Sequence, residues 1–196
     1  MEEAQRPEPS AGSPAEPREG ALLVRPAEPR DVPALLELFG ALAEYEHLTH
    51  ELRATEQGLA AALFAPKPVA EALIAERDGV ALGYALYFAT FSSFLTSTGI
   101  WLEDLFVRPA HRGEGVGRAL LSTVAARVRE QGGERLEWAA LDWNELALGF
   151  YRRIGARTMG EWITHRLDGE ALERLAVGAA ASLPNAPSPK RRDEPS

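Results

Sequence analysis

A glycine-rich stretch at residues 112–117 is the part of this sequence best suited to hold an anion. It reads Arg-Gly-Glu-Gly-Val-Gly and lies between a predicted buried strand and a predicted helix. A helix start exposes unpaired backbone N–H groups at the positive end of the helix dipole. Glycine lets the backbone approach an anion closely. The pattern predicts a phosphate or pyrophosphate site to which Arg112 adds charge, and a glycine-rich turn without a ligand is the alternative.

Two better-known phosphate motifs fit this loop poorly. The P-loop ends in Gly-Lys-Ser/Thr, whereas this sequence continues as Gly117-Arg118-Ala119. The dinucleotide-binding fingerprint requires glycine where Arg118 stands, and it normally opens the first strand–helix unit of a larger domain. We therefore assign the loop to neither class.

Two adjacent carboxylates, Glu103 and Asp104, interrupt the apolar strand predicted over residues 99–107. An unpaired carboxylate is costly in such a strand, and functional sites are where costs of this kind are tolerated. Successive side chains of a regular strand point to opposite faces, so only one of the two can line a given cleft unless a bulge intervenes. A salt bridge to a nearby arginine is the alternative for both residues.

The elements that position these residues alternate between strands and helices. Asp31, Thr55 and Asn144 are predicted to cap three of the helices, and the Asp78-Gly79 pair predicts a tight hairpin turn. The helix that follows the glycine-rich loop is expected to stop at Gly132 and Gly133. Predicted strands cover residues 22–24, 69–76, 80–91, 99–107, 135–141 and 158–167. The order of the predicted elements, with hairpins first and strand–helix units afterwards, indicates an α/β or α+β layered domain with one central mixed sheet.

Composition narrows the classes of function. The 196 residues carry a net charge of −8 and no cysteine, which excludes disulfides, thiolate metal sites and cysteine nucleophiles. The acidic net charge argues against nucleic acid as a partner and suits a cationic substrate, although solubility alone explains it equally well.

No apolar run reaches the ~20 residues that a membrane helix needs, and we expect a cytoplasmic protein. Proline-rich ends predict disordered tails at residues 1–20 and 178–196 around one domain at 21–177.

The ordered set of motifs resembles the GNAT superfamily of N-acetyltransferases. The glycine-rich loop follows a strand that reads Leu-Glu-Asp-Leu-Phe-Val at residues 102–107, like the acetyl-CoA signature of that family. Residues 143–156, Trp-Asn-Glu-Leu-Ala-Leu-Gly-Phe-Tyr-Arg-Arg-Ile-Gly-Ala, resemble its second signature. Together with Ala-Glu-Tyr-Glu at 43–46, the motifs are most similar to the diamine (spermidine/spermine) acetyltransferase branch. The resemblance spans about residues 24–175 and implies a three-layer domain with a mixed, mostly antiparallel sheet flanked by helices.

The resemblance implies direct transfer of an acetyl group from acetyl-CoA to a primary amine of a small polyamine or aminoalkyl compound. It also implies a homodimer. From the residues themselves we expect no metal, because no set of ligands is evident, and no nucleic acid or membrane as a partner, because of the acidic charge and the lack of a long apolar run. Tyr151 is the candidate acid for the departing thiolate, although a core tyrosine is the alternative for that residue alone. Glu103 is the candidate base, acting directly or through a water.

The remaining site residues also come from the resemblance. Those implied for acetyl-CoA binding are Leu105, Phe106, Val107, Arg112, Gly113, Glu114, Gly115, Val116, Gly117, Arg118, Asn144 and Tyr151. Those implied for the amine are Tyr45, Glu46, Glu103, Trp138 and Glu161. Two rival hypotheses stay open on sequence: a non-catalytic acetyl-CoA-binding module, and an acetyltransferase for a protein amine or an antibiotic. The presence of both Tyr151 and Glu103 speaks against the first.

Overall fold

A computed structural model of the chain describes residues 20–180, and side chains up to residue 177. The parts of the expected tails at residues 1–19 and 181–196 lie outside this range. The elements in chain order are β1 (Leu23–Pro26), α1 (Val32–Tyr45), α2 (Glu56–Phe64), β2 (Glu71–Arg77), β3 (Val80–Ser92), β4 (Ser97–Val107), α3 (Val116–Glu130), β5 (Arg135–Glu137), α4 (Glu145–Arg153) and α5 (Gly169–Ala180). They divide into two compact units, one up to Ala140 and one from Leu141 onwards.

The first unit is built on a single sheet with the strand order β1-β2-β3-β4-β5. The first four strands pair antiparallel, and β5 pairs parallel to β4 after the α3 connection. The predicted α/β class, with a mixed and mostly antiparallel sheet flanked by helices, is confirmed. No helix among residues 20–180 is long and apolar enough to cross a membrane.

Alternating strand residues supply two apolar layers. On one face, α1 and α2 pack with Ala72, Ile74, Tyr84 and Phe106 around Leu35, Leu38 and Leu63. The alternate positions Leu73, Ala75 and Ala85 are also buried, which places them on the opposite face. There α3 packs on β2, β3 and β4, and its buried residues are Val116, Leu120, Leu121, Val124 and Val128.

Local sequence patterns correctly predicted the Asp78-Gly79 hairpin turn and two of the three helix caps. Asp78 and Gly79 have φ of 51° and 77°, the left-handed pair that a two-residue hairpin turn requires. The Thr55 side chain accepts a hydrogen bond from the Gly58 N–H, and the Asn144 side chain accepts one from the Ala147 N–H. Each bond satisfies a backbone donor that the helix itself cannot.

The role expected of Asp31 is different in the structure. Asp31 stands at the start of α1 but makes no side-chain cap to that helix. Its carboxylate is almost buried and instead accepts hydrogen bonds from the Arg25 guanidinium and the Glu28 N–H. Arg25 also pairs with Glu76 of β2, at 2.8 Å. The carboxylate is therefore used to join β1 and β2 to the beginning of α1.

Two predicted strands are wrong in part or in whole. Residues 158–167 form no strand, because the Trp162 N–H bonds the Met159 carbonyl and the chain turns in the middle of the segment. The strand predicted over 135–141 ends at Glu137, whose partner is Trp101 of β4. We attribute this early end to a bulge in β4 just beyond Trp101, since a bulge bends the strand away from a regular ladder.

The helix that Asn144 was expected to cap is present as α4, but the core stripe expected from the fourfold spacing of Leu146, Phe150 and Ile154 is not. Leu146 is 57% exposed and Ile154 is 40% exposed, and none of the α4 side chains is fully buried. The fourfold spacing of apolar residues indicates a helix whether or not another element covers that face.

Candidate active site

A β-bulge in β4 determines how the two adjacent carboxylates are presented. Across the β3–β4 ladder, Leu86 pairs with Asp104 and Tyr87 pairs with Leu102. Glu103 therefore has no partner on β3 and is the extra residue of the bulge. Because two residues on β4 oppose one step of β3, the usual alternation of side chains is broken at this point.

The bulge places both carboxylates on the same face of the sheet. Directly paired residues share a face, and Leu86 and Phe88 lie two apart on β3. Their partners Asp104 and Trp101 therefore face the same way, and the Trp101 Nε1–H donates to Glu103 Oε2 at 2.9 Å. The bulge is the exception that the sequence analysis allowed for, so the rule of one carboxylate on each face of a regular strand does not apply here.

Asp104 is the more buried carboxylate and is held by a buried phenol. The hydroxyl of Tyr84, a fully buried residue of β3, donates to Asp104 Oδ2 at 3.1 Å. Burial raises the pKa of Asp104 to about 6; the Tyr84 hydrogen bond opposes this rise, while the charges of Glu103 and Glu46 add to it. Burial also raises the pKa of Glu46 and, well above its usual range, the pKa of Tyr84. Glu103 and Glu46 are thus both near enough to Asp104 to raise its pKa.

Sequence reasoning missed Asp104 and Tyr84 as members of this site. The signal that could have found Asp104 was already visible, since two adjacent carboxylates in an apolar strand are hard to accommodate on a regular β-strand. Tyr84 gave no such signal, because a tyrosine in an apolar strand is ordinary. Its role depends on the β3–β4 register, which brings its hydroxyl to Asp104.

The C-terminal end of α1 meets the glycine-rich loop. The guanidinium carbon of Arg112 lies 4.3 Å from the centre of the Tyr45 ring and 5.8 Å from that of Phe106. Its Nε–H donates to the Val107 carbonyl at 3.1 Å. Cation–π contacts of this kind are worth ~0.5–2 kcal/mol. Arg112 thereby joins the end of β4, the loop and the predicted amine-binding residue Tyr45.

The glycine-rich loop has the backbone that the sequence suggested. Gly113 and Gly115 have φ of 82° and 86°, the left-handed region that side-chain-bearing residues avoid. A Cβ at either position would meet no atom within 4 Å, so glycine is needed for backbone conformation and not for space. Gly115 precedes α3, which has no side-chain cap and no acidic residue in its first turn. The helix start is therefore suited to an external anion.

Buried Val116 fixes the first turn of α3 in the core. Next to it, a Cβ on Gly117 would come 3.5 Å from the Val107 side chain, an ordinary contact. Arg118 follows in the same turn of the helix. The loop and the end of β4 are thus held side by side.

Glu114, predicted within the anion loop, has its carboxylate turned into the protein. Its side chain is only 8% exposed, and Oε2 pairs with Arg77 Nη1 at 2.9 Å while Oε1 lies 3.2 Å from His111 Nδ1. The one acidic residue of the loop is therefore neutralised from β2. The backbone N–H of Glu114, and not its side chain, is therefore the group that would contact an anion.

The end of β4 offers two backbone donors away from β3. The Arg108 N–H bonds the Leu82 carbonyl at 2.8 Å, and because strand geometry repeats every two residues, Phe106 also directs its N–H towards β3. The N–H groups of Leu105 and Val107 then point to the opposite edge. There β5 ends opposite Trp101, so the ladder of the described residues leaves this part of the edge unpaired. Phe106 contributes a buried ring instead.

The other predicted site residues have separate settings. Trp138 is half-buried just after β5, at the end of the first unit. In the second unit, Asn144 caps α4 and Tyr151 lies half-buried on that helix, with its ring 5.5 Å from Phe150. Glu161 is exposed in the turn that replaced the predicted strand. Within the described residues, no group of three or more His, Cys, Asp or Glu could hold a metal ion.

Comparison with known proteins agrees with this fold. Residues 32–156 match the acetyltransferase (GNAT) family, and the chain belongs to that family. It is 34% identical to thialysine N-epsilon-acetyltransferase of Sus scrofa over 167 residues, covering 80% of this chain and 98% of that protein. It is 31% identical to L-ornithine N5-acetyltransferase NATA1 of Arabidopsis thaliana, covering 78% of this chain and 86% of that protein.

A solved structure shares both fold and sequence. An integron cassette protein from the mobile metagenome of V. cholerae has a TM-score of 0.67 and 28% identity, and the match covers 79% of this chain and 97% of that one. The chain is therefore an acetyltransferase that acts on amines, as the family does, and the family uses acetyl-CoA as co-substrate. The hypothesis of a non-catalytic binding module is set aside.

Proposed function

We propose that this enzyme acetylates the primary amine at the end of a short aminoalkyl chain, in a small polyamine or an amino acid with a terminal amine. The observation that carries the proposal is the acidic group around Asp104: Glu103 is its neighbour on the same face of β4, and the charges of Glu103 and Glu46 both raise the pKa of Asp104. Such a group attracts a cation and disfavours an acidic acceptor. The two relatives named above are described as acting on thialysine and ornithine, which fits an acceptor of this kind.

The amine must lose a proton before it can attack a thioester. An alkyl amine is protonated at neutral pH, with a pKa of about 10.4 for lysine. We propose that Glu103 accepts this proton, directly or through a water. Its carboxylate is exposed and accepts a hydrogen bond from the Trp101 indole N–H. Asp104 supplies a second negative charge that steadies the ammonium ion. The neutral nitrogen then attacks the acetyl carbonyl carbon to give a tetrahedral intermediate. As this intermediate collapses, the C–S bond breaks and the nitrogen loses its second proton, which replaces the proton that Tyr151 gives to the thiolate.

Three further groups complete the chemistry. The glycine-rich loop and the start of α3 bind the pyrophosphate of acetyl-CoA through backbone N–H groups. The N–H groups of Leu105 and Val107 donate to the thioester oxygen as negative charge develops on it. Tyr151 gives its hydroxyl proton to the departing thiolate. We further propose a cytoplasmic homodimer in which Tyr45, Trp138 and Glu161 help to position the amine.

A panel of amines tests the proposal. Acetyl-CoA and purified protein are combined with putrescine, spermidine, ornithine, thialysine, a peptide with a free N-terminus and an aminoglycoside, and free thiol release is followed. We expect the highest kcat/KM with an aminoalkyl amine. Turnover confined to the peptide or the aminoglycoside would overturn the proposed acceptor class. Reactions without amine give the background hydrolysis of the thioester.

A further inference from the structure

An anion-binding loop with a glutamate at its centre needs a way to keep that charge from its ligand. We propose that Arg77 is a positioning residue that holds the Glu114 carboxylate inside the protein, so that the loop can accept a pyrophosphate. The inference rests on the proposed function of the loop. It concerns Arg77, which is 37 residues away from Glu114 in the chain and outside every motif recognised in the sequence.

The contacts show that the Glu114 carboxylate is restrained at both oxygens. Arg77 Nη1 donates to Oε2 at 2.9 Å, and His111 Nδ1 lies 3.2 Å from Oε1. The side chains of Arg77 and Glu114 are 16% and 8% exposed, so solvent screens the pair only weakly. Charge-assisted hydrogen bonds in such a setting are stronger than those between neutral groups.

Arg77 takes up this position at some cost. Its Nε is buried without a hydrogen-bond partner among the described residues, and an unsatisfied buried donor is unfavourable. Arg77 also ends β2, directly before the tight Asp78-Gly79 turn, so its backbone is fixed. An arginine without a structural role would gain no stability from burying part of its guanidinium in this way.

The loop backbone explains why the charge would otherwise matter. Gly113 and Gly115, on either side of Glu114, both have left-handed φ values, and together they reverse the chain around it. The carboxylate therefore belongs to the same few residues whose backbone is to face the pyrophosphate. Without Arg77 a negative charge would stand within or beside the anion site, where it would repel the pyrophosphate.

A pair of variants distinguishes charge control from simple structural support. Arg77→Met keeps the length of the side chain and removes its charge. We expect the Kd for acetyl-CoA, measured by calorimetry, to rise about tenfold in Arg77→Met. In the double variant Arg77→Met/Glu114→Gln we expect it to return to within about threefold of wild type, because the repelling carboxylate has gone. KM for acetyl-CoA should follow Kd, and kcat should change little.

Controls bear on the pyrophosphate and on folding. Pantetheine, which has no phosphates, should inhibit wild type and Arg77→Met equally. Arg77→Lys should keep near wild-type affinity, and it tests the proposal even if Arg77→Met fails to fold. Arg174→Met, which breaks the exposed Arg174–Glu170 pair of α5, should change nothing.

The outcomes are distinct. Equal losses in Arg77→Met and in the double variant would mean that the pair only supports the loop, and would overturn the inference. An unchanged Kd in Arg77→Met would also overturn it while leaving the proposed function standing. Wild-type protein that does not bind acetyl-CoA would instead overturn the proposed function.

Discussion

Glu103 and Asp104 are neighbours in the chain but meet different surroundings. Glu103 is exposed and bonded to an indole N–H, whereas Asp104 is largely buried and bonded to the Tyr84 phenol. Environment separates the two carboxylates electrostatically, which is how paired acids commonly take separate roles. Glu103 keeps the access that a base needs, and the raised pKa of Asp104 means that Asp104 loses its charge in mild acid.

The pH dependence of activity tests the role of Tyr84. Its hydrogen bond lowers the pKa of Asp104, which burial sets at about 6, so Tyr84→Phe should raise that pKa further. If charged Asp104 is needed, activity is lost as pH falls through its pKa, and the acid limb of kcat/KM should move to higher pH in the variant. The profile is measured between about pH 5 and pH 9.

Tyr87→Phe is the matched control for this test. Tyr87 is also buried on β3, but its hydroxyl bonds Glu71 at 3.3 Å, away from the site. An acid limb that stays in place in Tyr84→Phe, or that moves as far in Tyr87→Phe, would contradict a role for the Tyr84–Asp104 bond.

Tyr151→Phe tests the proposed acid. The change removes one hydroxyl from a half-buried ring, so packing on α4 should be kept. General acid catalysis typically contributes 10²–10⁴-fold, and kcat should fall by about that range while the Kd for acetyl-CoA stays nearly constant. Full activity in Tyr151→Phe would remove the assigned acid.

Glu103→Gln tests the proposed base. It should weaken amine affinity as well as turnover, with partial rescue at higher pH where more amine is neutral.

At the scale of elements, one strand and one helix start carry most of the proposed site. β4 supplies the bulge, the carboxylates and the outward N–H groups, while the loop before α3 supplies the anion cradle. The two are coupled because Arg112 of the loop bonds Val107 of the strand and stacks on Tyr45 of α1. The proposed amine and pyrophosphate sites are therefore joined by one connected set of contacts.

Gly115→Asp tests the anion cradle. It adds a negative charge at the start of α3 and places a side chain on a left-handed backbone. Acetyl-CoA affinity should fall at least tenfold, roughly 1.4 kcal/mol. Gly132→Asp is the control, since Gly132 has φ of 70° beyond the other end of α3 and equally open space around it. Similar affinity losses in both variants would mean that strain, and not charge at the cradle, is responsible.

At the scale of the whole molecule, the second unit leaves much apolar surface open. Its apolar side chains that are at least 67% exposed include Trp162, Ile163, Leu175 and Val177. Large apolar patches on a surface often mark a site of protein–protein interaction. We propose these side chains as part of the interface of the homodimer that the family resemblance implies.

Light scattering tests the oligomeric state. At micromolar concentration we expect twice the 21.3 kDa mass of the chain. Trp162→Ser is the variant to compare, because it removes a large exposed apolar side chain, and we expect it to shift the equilibrium towards monomer. A wild-type protein that stays monomeric at this concentration would contradict the homodimer.

The sequence by itself determined the features that depend on local backbone preference. The Asp78-Gly79 hairpin, the Thr55 and Asn144 caps and the glycine-rich loop each follow from a few adjacent residues. The family and its chemistry also followed from motifs in order along the chain, and the comparisons confirmed them.

Only the tertiary structure decided how distant residues meet. The face on which Glu103 and Asp104 lie depends on the β3–β4 register, since one extra residue reverses the alternation that a sequence pattern assumes. The same holds for the Tyr84–Asp104 bond and the Arg77–Glu114 pair, whose partners are far apart in the chain. The strand predicted over 158–167 failed for the same reason: a strand exists only where another strand pairs with it, and no run of residues specifies its own partner.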